Sequence, residues 1–358
     1  MTPPLQPRVA VVVLNWNGWN DTVECLEALQ RLDYPDYRVT VVDNGSSDAS
    51  AERIRQWARG ELPVASALVP YDAAAKPAHC VEYTPDQATA GGLEPAEAGL
   101  VAAQPAQQLV LINVPTNLGF AGGNNVGIRY ALALGFPYVL LLNNDVVVER
   151  DTLSTLVACL ERHPDWAGVA PKVVQRADPS RILYAGGVLR LWQAQALHSG
   201  RFSRDGPEWS GSRVTGHLSA CCALFRMEFL TKAGLLDEDF FFGQEDVALA
   251  CMARRHGWRL GVQLDARVIH NEGHSLKSWP AASVYYFAKY RLLLLTKYGS
   301  RLDVLTGLFF VALSRLVKFP LALLRGRGDL VQAEIRGYRD YFAGRLADYD
   351  RRRVGAGT

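Results

Sequence analysis

Two short apolar runs, 39–42 and 138–142, each end abruptly in a loop that carries an acid: Val42-Asp43-Asn44-Gly45-Ser46-Ser47-Asp48 and Leu142-Asn143-Asn144-Asp145. Apolar runs of this length, closed by turn residues, read as strands covered on both faces, as in a parallel sheet. In open α/β sheets ligands bind outside the carboxyl ends of the strands. Both loops therefore put carboxylates on a ligand-binding edge. One can accept a hydrogen bond from a base and the other can bind a metal, a combination suited to a nucleoside diphosphate.

The same patterning predicts strands over 9–14, 109–113, 168–171, 259–264 and 268–270, and helices over 21–30, 49–59, 123–134, 151–162, 226–233 and 244–256. Strand and helix alternate through the first half, so the expected fold class is α/β with a mainly parallel, Rossmann-like sheet covered by helices. Residues 70–108, rich in Ala, Pro, Gly, Gln and Glu, break the rhythm and are expected to form a surface insertion open to disorder. From about 181 to 219 the pattern turns irregular.

Composition narrows the function classes. A formal net charge of +2 over 358 residues argues against a dedicated nucleic-acid binder. The six cysteines (25, 80, 159, 221, 222 and 251) show no CxxC spacing, and no basic-then-apolar leader opens the chain. They are expected to stay reduced and buried in a cytoplasmic protein; a redox role for the adjacent Cys221 and Cys222 is the less favoured alternative. Between Glu272 and Asp329 the only acid is Asp303, against nine Lys or Arg residues. Within that span 304–313 and 316–324 are almost wholly apolar, but Arg315, Lys318 and Pro320 interrupt the roughly 20 residues a spanning helix needs. Residues 276–330 are therefore expected to form an interfacial helix pair, with anionic headgroups attracting the basic residues while Phe309, Phe310, Leu313 and Leu316 insert. An ordinary core helix with a basic face is the alternative. Residues 331–358 are expected to form a C-terminal helix and a tail that frays from Arg345.

Five elements could carry chemistry. Asp43 follows a buried strand and can accept a base imino proton, although Asx-Gly turns also serve as plain punctuation. Asp145, with Asn143 as a weaker oxygen donor, suits Mg²⁺ or Mn²⁺, which take only one or two protein carboxylates beside a diphosphate; capping of the next helix is the competing use. The segment 115–125 joins a strand to a helix through three glycines, so backbone and a helix N-terminus could approach an anion, or the loop could be a tight structural turn. Glu245 and Asp246 open a helix after Phe240-Phe241-Phe242 and could supply a general base or merely cap it. His270, after a strand, suits a third metal position, with His274 a nearby competitor.

Taken in order, Val-Val-Leu-Asn-Trp-Asn, Val-Val-Asp-Asn-Gly-Ser-Ser-Asp, Asn-Leu-Gly-Phe-Ala-Gly-Gly-Asn-Asn, Leu-Leu-Asn-Asn-Asp, Asp-Glu-Asp-Phe-Phe-Phe-Gly-Gln-Glu-Asp and Val-Ile-His-Asn make the chain resemble the inverting family 2 glycosyltransferases of GT-A fold. The bacterial rhamnosyltransferase-like branch is the nearest in kind, and the resemblance covers about residues 8–300 without the insertion. It implies a catalytic domain over 1–275. It implies a donor site in which Asp43 holds uracil or thymine, lined by Asn15, Asn17, Asn117, Gly119, Asn143 and Asn144. By the same resemblance Asp145 and His270 would hold a divalent cation, Mg²⁺ or Mn²⁺, on the diphosphate. Asp246 would be the catalytic base with Glu245 in support, and Trp192, Trp209 and Gly216 would border the acceptor. The first acid of the family's Asp-x-Asp element is replaced by Asn143, which implies weaker metal binding. The implied reaction moves a sugar from a nucleotide-diphosphate donor, dTDP-rhamnose or a UDP-sugar, to a hydroxyl of a cell-surface glycan or lipid-linked acceptor. The implied location is the cytoplasm, peripheral on the inner face of the cytoplasmic membrane. Two rivals are a sugar nucleotidyltransferase, whose basic Gly-rich loop is missing at Asn15-Trp16-Asn17-Gly18-Trp19, and a catalytically silent membrane-associated scaffold, against which the intact Asp43, Asp145 and Asp246 weigh.

Overall fold

The computed structural model describes residues 6–272 and 280–345; His274 and the tail beyond 345 lie outside the described residues. The strands are β1 (Val9–Asn15), β2 (Tyr37–Asn44), β3 (His79–Tyr83), β4 (Gln108–Val114), β5 (Tyr138–Asn143), β6 (Val146–Val148), β7 (Trp166–Gln175), β8 (Ile182–Tyr184), β9 (Gly187–Arg190), β10 (Gln195–His198), β11 (Ser212–Thr215), β12 (Cys222–Arg226) and β13 (Arg259–His270). The helices are α1 (Trp19–Leu29), α2 (Ser50–Arg59), α3 (Pro85–Thr89), α4 (Glu94–Ala102), α5 (Gly119–Ala133), α6 (Thr152–Arg162), α7 (Met227–Ala233), α8 (Glu245–Arg255), α9 (Pro280–Tyr298), α10 (Arg301–Leu324) and α11 (Gly328–Phe342).

One sheet runs in the order β11-β13-β7-β12-β5-β1-β2-β4-β3, with β6 paired to β13 and β8 to β7. Its apolar strands are buried on both faces, as continuous Val/Leu/Ile runs require. Strands β5, β1, β2, β4 and β3 are mutually parallel, so their carboxyl ends share one edge. Strand β12 runs antiparallel between β5 and β7. It thereby returns the loop before Cys222 to the same edge, where Asn143 donates its amide to the Cys221 carbonyl at 2.8 Å. The irregular 181–219 segment proves to be short strands and a separate β9–β10 hairpin.

The expected disordered insertion is ordered. Residues 79–83 add the edge strand β3, and two charged groups tie the rest down. Arg38 on β2, almost sealed from solvent, pairs with Glu97 at 2.5 Å, and Glu97 also accepts from Tyr83 and Tyr130 at 2.9 and 2.6 Å. Lys76 pairs with the buried Glu27 of α1 at 2.9 Å. The two ion pairs join residues 59 and 49 positions apart, so no local periodicity announces them.

The C-terminal part also differs from its expectation. The two apolar runs join into one helix, α10, because Arg315 at their junction forms an ion pair with Glu334 of α11 instead of ending the helix. Of the 24 residues in α10 only Gly307 and Val311 are buried, and the helix is long and apolar enough by composition to cross a membrane.

Candidate active site

Register builds the site. Asn15 at the end of β1 pairs with Asp43 at the end of β2, and Leu14 pairs with Asn143 at the end of β5. The Asn15 amide donates to Asp43 Oδ1 at 2.7 Å and Ser46 donates to the same oxygen, which leaves Oδ2 for a ligand. Asn15 Oδ1 in turn accepts from Thr22 at 2.8 Å. Burial raises the Asp43 pKa, with Ser46 and Asn15 opposing the shift. Asn17 sits at φ 50°, and its side-chain oxygen accepts the Ser47 and Asp48 amides at 2.7 and 3.2 Å. Asn15 and Asn17 thus shape the Asp43 loop, and Thr22 and Ser46, which sequence reasoning missed, complete it. Ser46 lies inside the acidic motif and was open to detection; nothing around Thr22 signals its role. Asn15→Ala removes a hydrogen bond to a buried carboxylate, worth about 1.5–3 kcal/mol. Nucleotide binding measured by calorimetry is expected to weaken at least about tenfold.

Asp145 and His270 meet because β6, which starts just after Asp145, pairs antiparallel with the end of β13, placing His270 opposite Val146. The Asn271 amide donates to the Asp145 carbonyl at 3.1 Å and fixes the turn. His270 Nε2 lies 3.2 Å from Asp145 Oδ1, outside hydrogen-bond alignment, so this enclosed oxygen has no donor. Burial works against the charged imidazole, yet the facing Cys221 and Asp145 side chains hold the His270 pKa well above the usual value. Among the described residues no three His, Cys, Asp or Glu side chains form a ready-made metal cage. One carboxylate and one imidazole, which gives up its proton on binding, do fit a hard cation that takes its remaining ligands from a diphosphate. The Asn144 amide donates to the Gly18 carbonyl and Thr22 hydroxyl at 3.1 and 3.0 Å and locks the loop onto α1.

The glycine-rich segment serves packing. Gly119 opens α5 at φ 76°, and a Cβ there would lie 2.5 Å from the Phe241 carbonyl oxygen. That carbonyl accepts the Phe120 amide at 2.9 Å, so this amide of the α5 N-terminus is already used by the aromatic segment. A Cβ on Gly123 would meet Leu14 at 2.5 Å. Asn117 accepts from the Asn44 amide and the Gly119 backbone at 3.0 and 2.8 Å, a latch between β2 and α5.

The aromatic segment delivers the acids. Asn125 holds its start, accepting the Leu236 amide at 3.0 Å and donating to the Leu236 carbonyl at 2.8 Å. Gly243 and Gln244 both sit at positive φ, 82° and 76°. For Gln244 this is strained backbone, of order 1–2 kcal/mol, spent at a turn that aims Glu245 and Asp246 off the start of α8. Asp246 Oδ1 accepts the Val247 amide at 2.8 Å, while Glu245 Oε2 is enclosed and accepts from no described residue. Burial raises the pKa of both carboxyls, and the Asp246 charge raises Glu245 further. Tyr184, pushed up by burial and by the facing Asp246 charge, donates to the His217 carbonyl at 2.8 Å. His217 lies in the loop that carries Gly216 and Cys221, so Tyr184 anchors that loop. Tyr184 did not stand out in the sequence, and Cys221 stood out there only as half of an adjacent cysteine pair.

Of the acceptor-side candidates, Gly216 joins this loop to the β9 hairpin through its amide, 2.8 Å from the Gly187 carbonyl. Trp209 packs under Gly200 with its indole nitrogen enclosed and unbonded, and its carbonyl accepts from Lys172 at 3.0 Å. Trp192 turns to the C-terminal helices and meets Phe310 edge-on at 5.4 Å.

Comparison with known proteins agrees with this geometry. Residues 75–284 match the model described as glycosyltransferase like family 2, and residues 10–65 match glycosyl transferase family 2. The first match alone covers more than half of the chain. The chain belongs to glycosyltransferase family 2. Within the family it is similar to the galactofuranosyltransferase GlfT1 of Mycolicibacterium smegmatis, 30% identical over 197 residues that make up 54% of this chain and 62% of that one. It is also similar to the low-salt glycan biosynthesis hexosyltransferase Agl10 of Haloferax volcanii, 24% identical over 44% of this chain and 50% of that one. The chain thus spans between half and two thirds of the length of these relatives. The GT-A type fold is shared with solved structures. The mannosyltransferase PcManGT of Pyrobaculum calidifontis, solved with GDP-Man and Mn²⁺, superposes with a TM-score of 0.53 at 17% identity over 95% of this chain and 88% of that one. Residues 1–349 of TarS from S. aureus, with UDP-GlcNAc, give 0.52 at 15% identity over 91% and 79%.

Proposed function

We propose that this family 2 member is an inverting, metal-dependent glycosyltransferase that uses a pyrimidine nucleoside-diphosphate sugar. The observation that carries the reading is the β1–β2 register, which holds the Asp43 carboxylate at the ligand edge with one oxygen free, beside the Asp145–His270 pair. Asp43 accepts the imino proton of the base, and Asn15, Ser46 and Asn17 keep it aimed. Asp145 and His270 would hold Mg²⁺ or Mn²⁺, which would supply positive charge to offset that of the departing diphosphate. Asp246 takes the proton of the acceptor hydroxyl as that oxygen bonds to the anomeric carbon. The bond from this carbon to the diphosphate oxygen breaks on the opposite face, so configuration inverts and the nucleoside diphosphate leaves. Apolar surroundings keep Asp246 basic enough for the transfer. The donor sugar is rhamnosyl, as the sequence motifs favour, or galactofuranosyl, as similarity to GlfT1 favours. The acceptor is a lipid-linked glycan at the cytoplasmic face of the membrane, where the apolar, basic C-terminal helices seat the enzyme.

The test is nucleotide release from a panel of dTDP-, UDP- and GDP-sugars with Mg²⁺ or Mn²⁺. Slow hydrolysis of one pyrimidine donor, abolished by EDTA and restored by excess cation, is the expected result. A triphosphate and sugar phosphate yielding pyrophosphate would instead establish the nucleotidyltransferase. If no sugar nucleotide binds in a thermal-shift titration, the donor site built on Asp43 is wrong.

A further inference from the structure

We infer that the β9–β10 hairpin and helix α10 form one continuous face that seats on an anionic lipid bilayer, with Trp192 at the hairpin tip as a second insertion point. This rests on the peripheral seating proposed above and adds how the molecule is oriented on the surface.

Helix α10 has two unlike sides. Gly307 and Val311 face the protein: a Cβ on Gly307 would meet Leu295 at 2.9 Å and the Leu191 carbonyl at 3.2 Å, and Val311 packs with Ala194 and Leu295. Arg315 continues this side and pairs with Glu334. Roughly half a turn away at 100° per residue, Leu302, Leu305, Phe309, Leu313, Leu316 and Leu324 form an uncharged stripe. Its exposure runs from 47% to 85%. A helix held against the globular body at Gly307, Val311 and Arg315, near its middle, cannot place that part at the centre of a bilayer unless the body enters too. Composition permits a span; packing favours a helix lying in the interface.

The hairpin repeats the same division with the period of a strand. Leu189 and Ala196, directly paired, turn inward and pack on the buried cluster of α8 and α9. Their neighbours Val188 and Leu197, also directly paired, face out at 44% and 43% exposure. At the turn Leu191 and Ala194 are buried, while Trp192 is 46% exposed and its ring lies against Phe310 of α10. The apolar stripe of the helix and the outward side of the hairpin therefore meet at Trp192. Tryptophan is the residue enriched at the headgroup level of membranes.

Charge identifies the occupant. Between residues 280 and 345 eleven Lys and Arg stand against four Asp and Glu, while the whole chain carries only +2; Lys289 is sealed in the core and Lys297, Arg315 and Arg327 are paired with acids, so the charge offered to a surface comes from the others. Lys318 and Arg325 are exposed on α10 and just beyond it, and Arg190 is exposed on the hairpin. An apolar surface next to this excess of positive charge matches anionic headgroups over acyl chains.

The experiment is co-sedimentation of the full chain with vesicles of phosphatidylcholine alone or mixed with an equal part of phosphatidylglycerol. Wild type, Trp192→Glu, Leu197→Glu and Leu316→Glu are compared, each first checked for an unchanged thermal melt, with elution volume read for oligomeric state. Each substitution is expected to weaken partitioning to the anionic vesicles roughly tenfold or more, the effect of withdrawing one large apolar side chain, and wild-type binding is expected to fall with added salt. Leu197→Glu reports on the hairpin if Trp192→Glu does not fold. Wild-type binding by both hairpin variants, with loss in Leu316→Glu, would overturn the hairpin anchor and leave helix seating intact. No loss in any variant would overturn the seating as well. A dimer in wild type that these variants dissociate would make the face a self-association surface instead. Donor hydrolysis in solution, read on the same samples, tests the transferase reading separately.

Discussion

Asp246→Asn is expected to lower turnover by about two to four orders of magnitude, the range a positioned general base supplies, with donor binding within a factor of about two of wild type. The split follows from geometry. Asp43, Asp145 and His270 stand on the edge formed by β1, β2, β5 and β13. Asp246 instead projects from the start of α8, just after the aromatic segment whose Phe241 carbonyl accepts the Phe120 amide of α5. The substitution keeps the side-chain shape and an oxygen for the Val247 amide, so the backbone turn should persist. Single-turnover nucleotide release together with equilibrium binding of the donor separates the two quantities. Equal loss in binding and turnover would move Asp246 into the donor site.

The pH dependence of the same variant has a definite sign. Both Glu245 and Asp246 have folded-state pKa values raised, first by burial. A raised carboxyl pKa favours folding most below the ordinary carboxylate range, and that contribution is lost as pH rises through the folded-state value. Wild type therefore carries a destabilised ionised acid at neutral pH, and Asp246→Asn, which cannot ionise, should melt higher there. The gap between the two melting temperatures should close as pH falls toward the usual carboxylate range. Activity of the wild type should rise over the pH interval in which its stability declines, because the form that accepts a proton is the one burial disfavours. Function and stability are opposed at this position, as they often are where a site keeps a desolvated acid.

How much of this was legible in the sequence depended on the range of the interactions. The strands ending in Asn15, Asp43 and Asn143 were readable because an apolar run and a turn are local signals, and parallel pairing then aligned their ends. The acids at the start of α8 were readable for the same reason, although the strained Gln244 that aims them was not. Bends escaped notice: 259–264 and 268–270 form one strand because β13 shifts register against β7 between Gln263 and Arg267. The glycine-rich segment left a ligand contact and a tight turn both open, and Gly119 and Gly123 admit the close approach of Phe241 and Leu14. Least readable was 70–108. Its polar, aperiodic composition describes a disordered chain unless Lys76 finds Glu27 and Glu97 finds Arg38, and single residues do not announce such partners.

That dependence makes Lys76 the site of the largest expected stability effect. Glu27 on α1 is sealed from solvent and accepts from Trp57 Nε1 at 2.7 Å and from the Asp72 amide at 3.2 Å, but Lys76 supplies its compensating charge at 2.9 Å. The ammonium also lies 4.2 Å from the Trp57 ring centre and 5.3 Å from that of Tyr71, so its own burial is offset on several sides. Lys76→Met keeps the side-chain length and leaves an unpaired buried carboxylate. Breaking a buried pair from one side costs about 3–5 kcal/mol, which should appear as a clear drop in the midpoint of urea unfolding followed by tryptophan fluorescence. Adding Glu27→Gln removes the stranded charge; its single amide oxygen can accept from only one of Trp57 and Asp72, which meet different oxygens of Glu27, so the double variant should recover part of the loss. Recovery would mean that the insertion is held by neutralising Glu27. A double variant as unstable as Lys76→Met would mean that the Lys76 contacts with Trp57 and Tyr71 dominate. A single variant within about 1 kcal/mol of wild type would show that the insertion is held by its strand pairing with β4 and by Arg38.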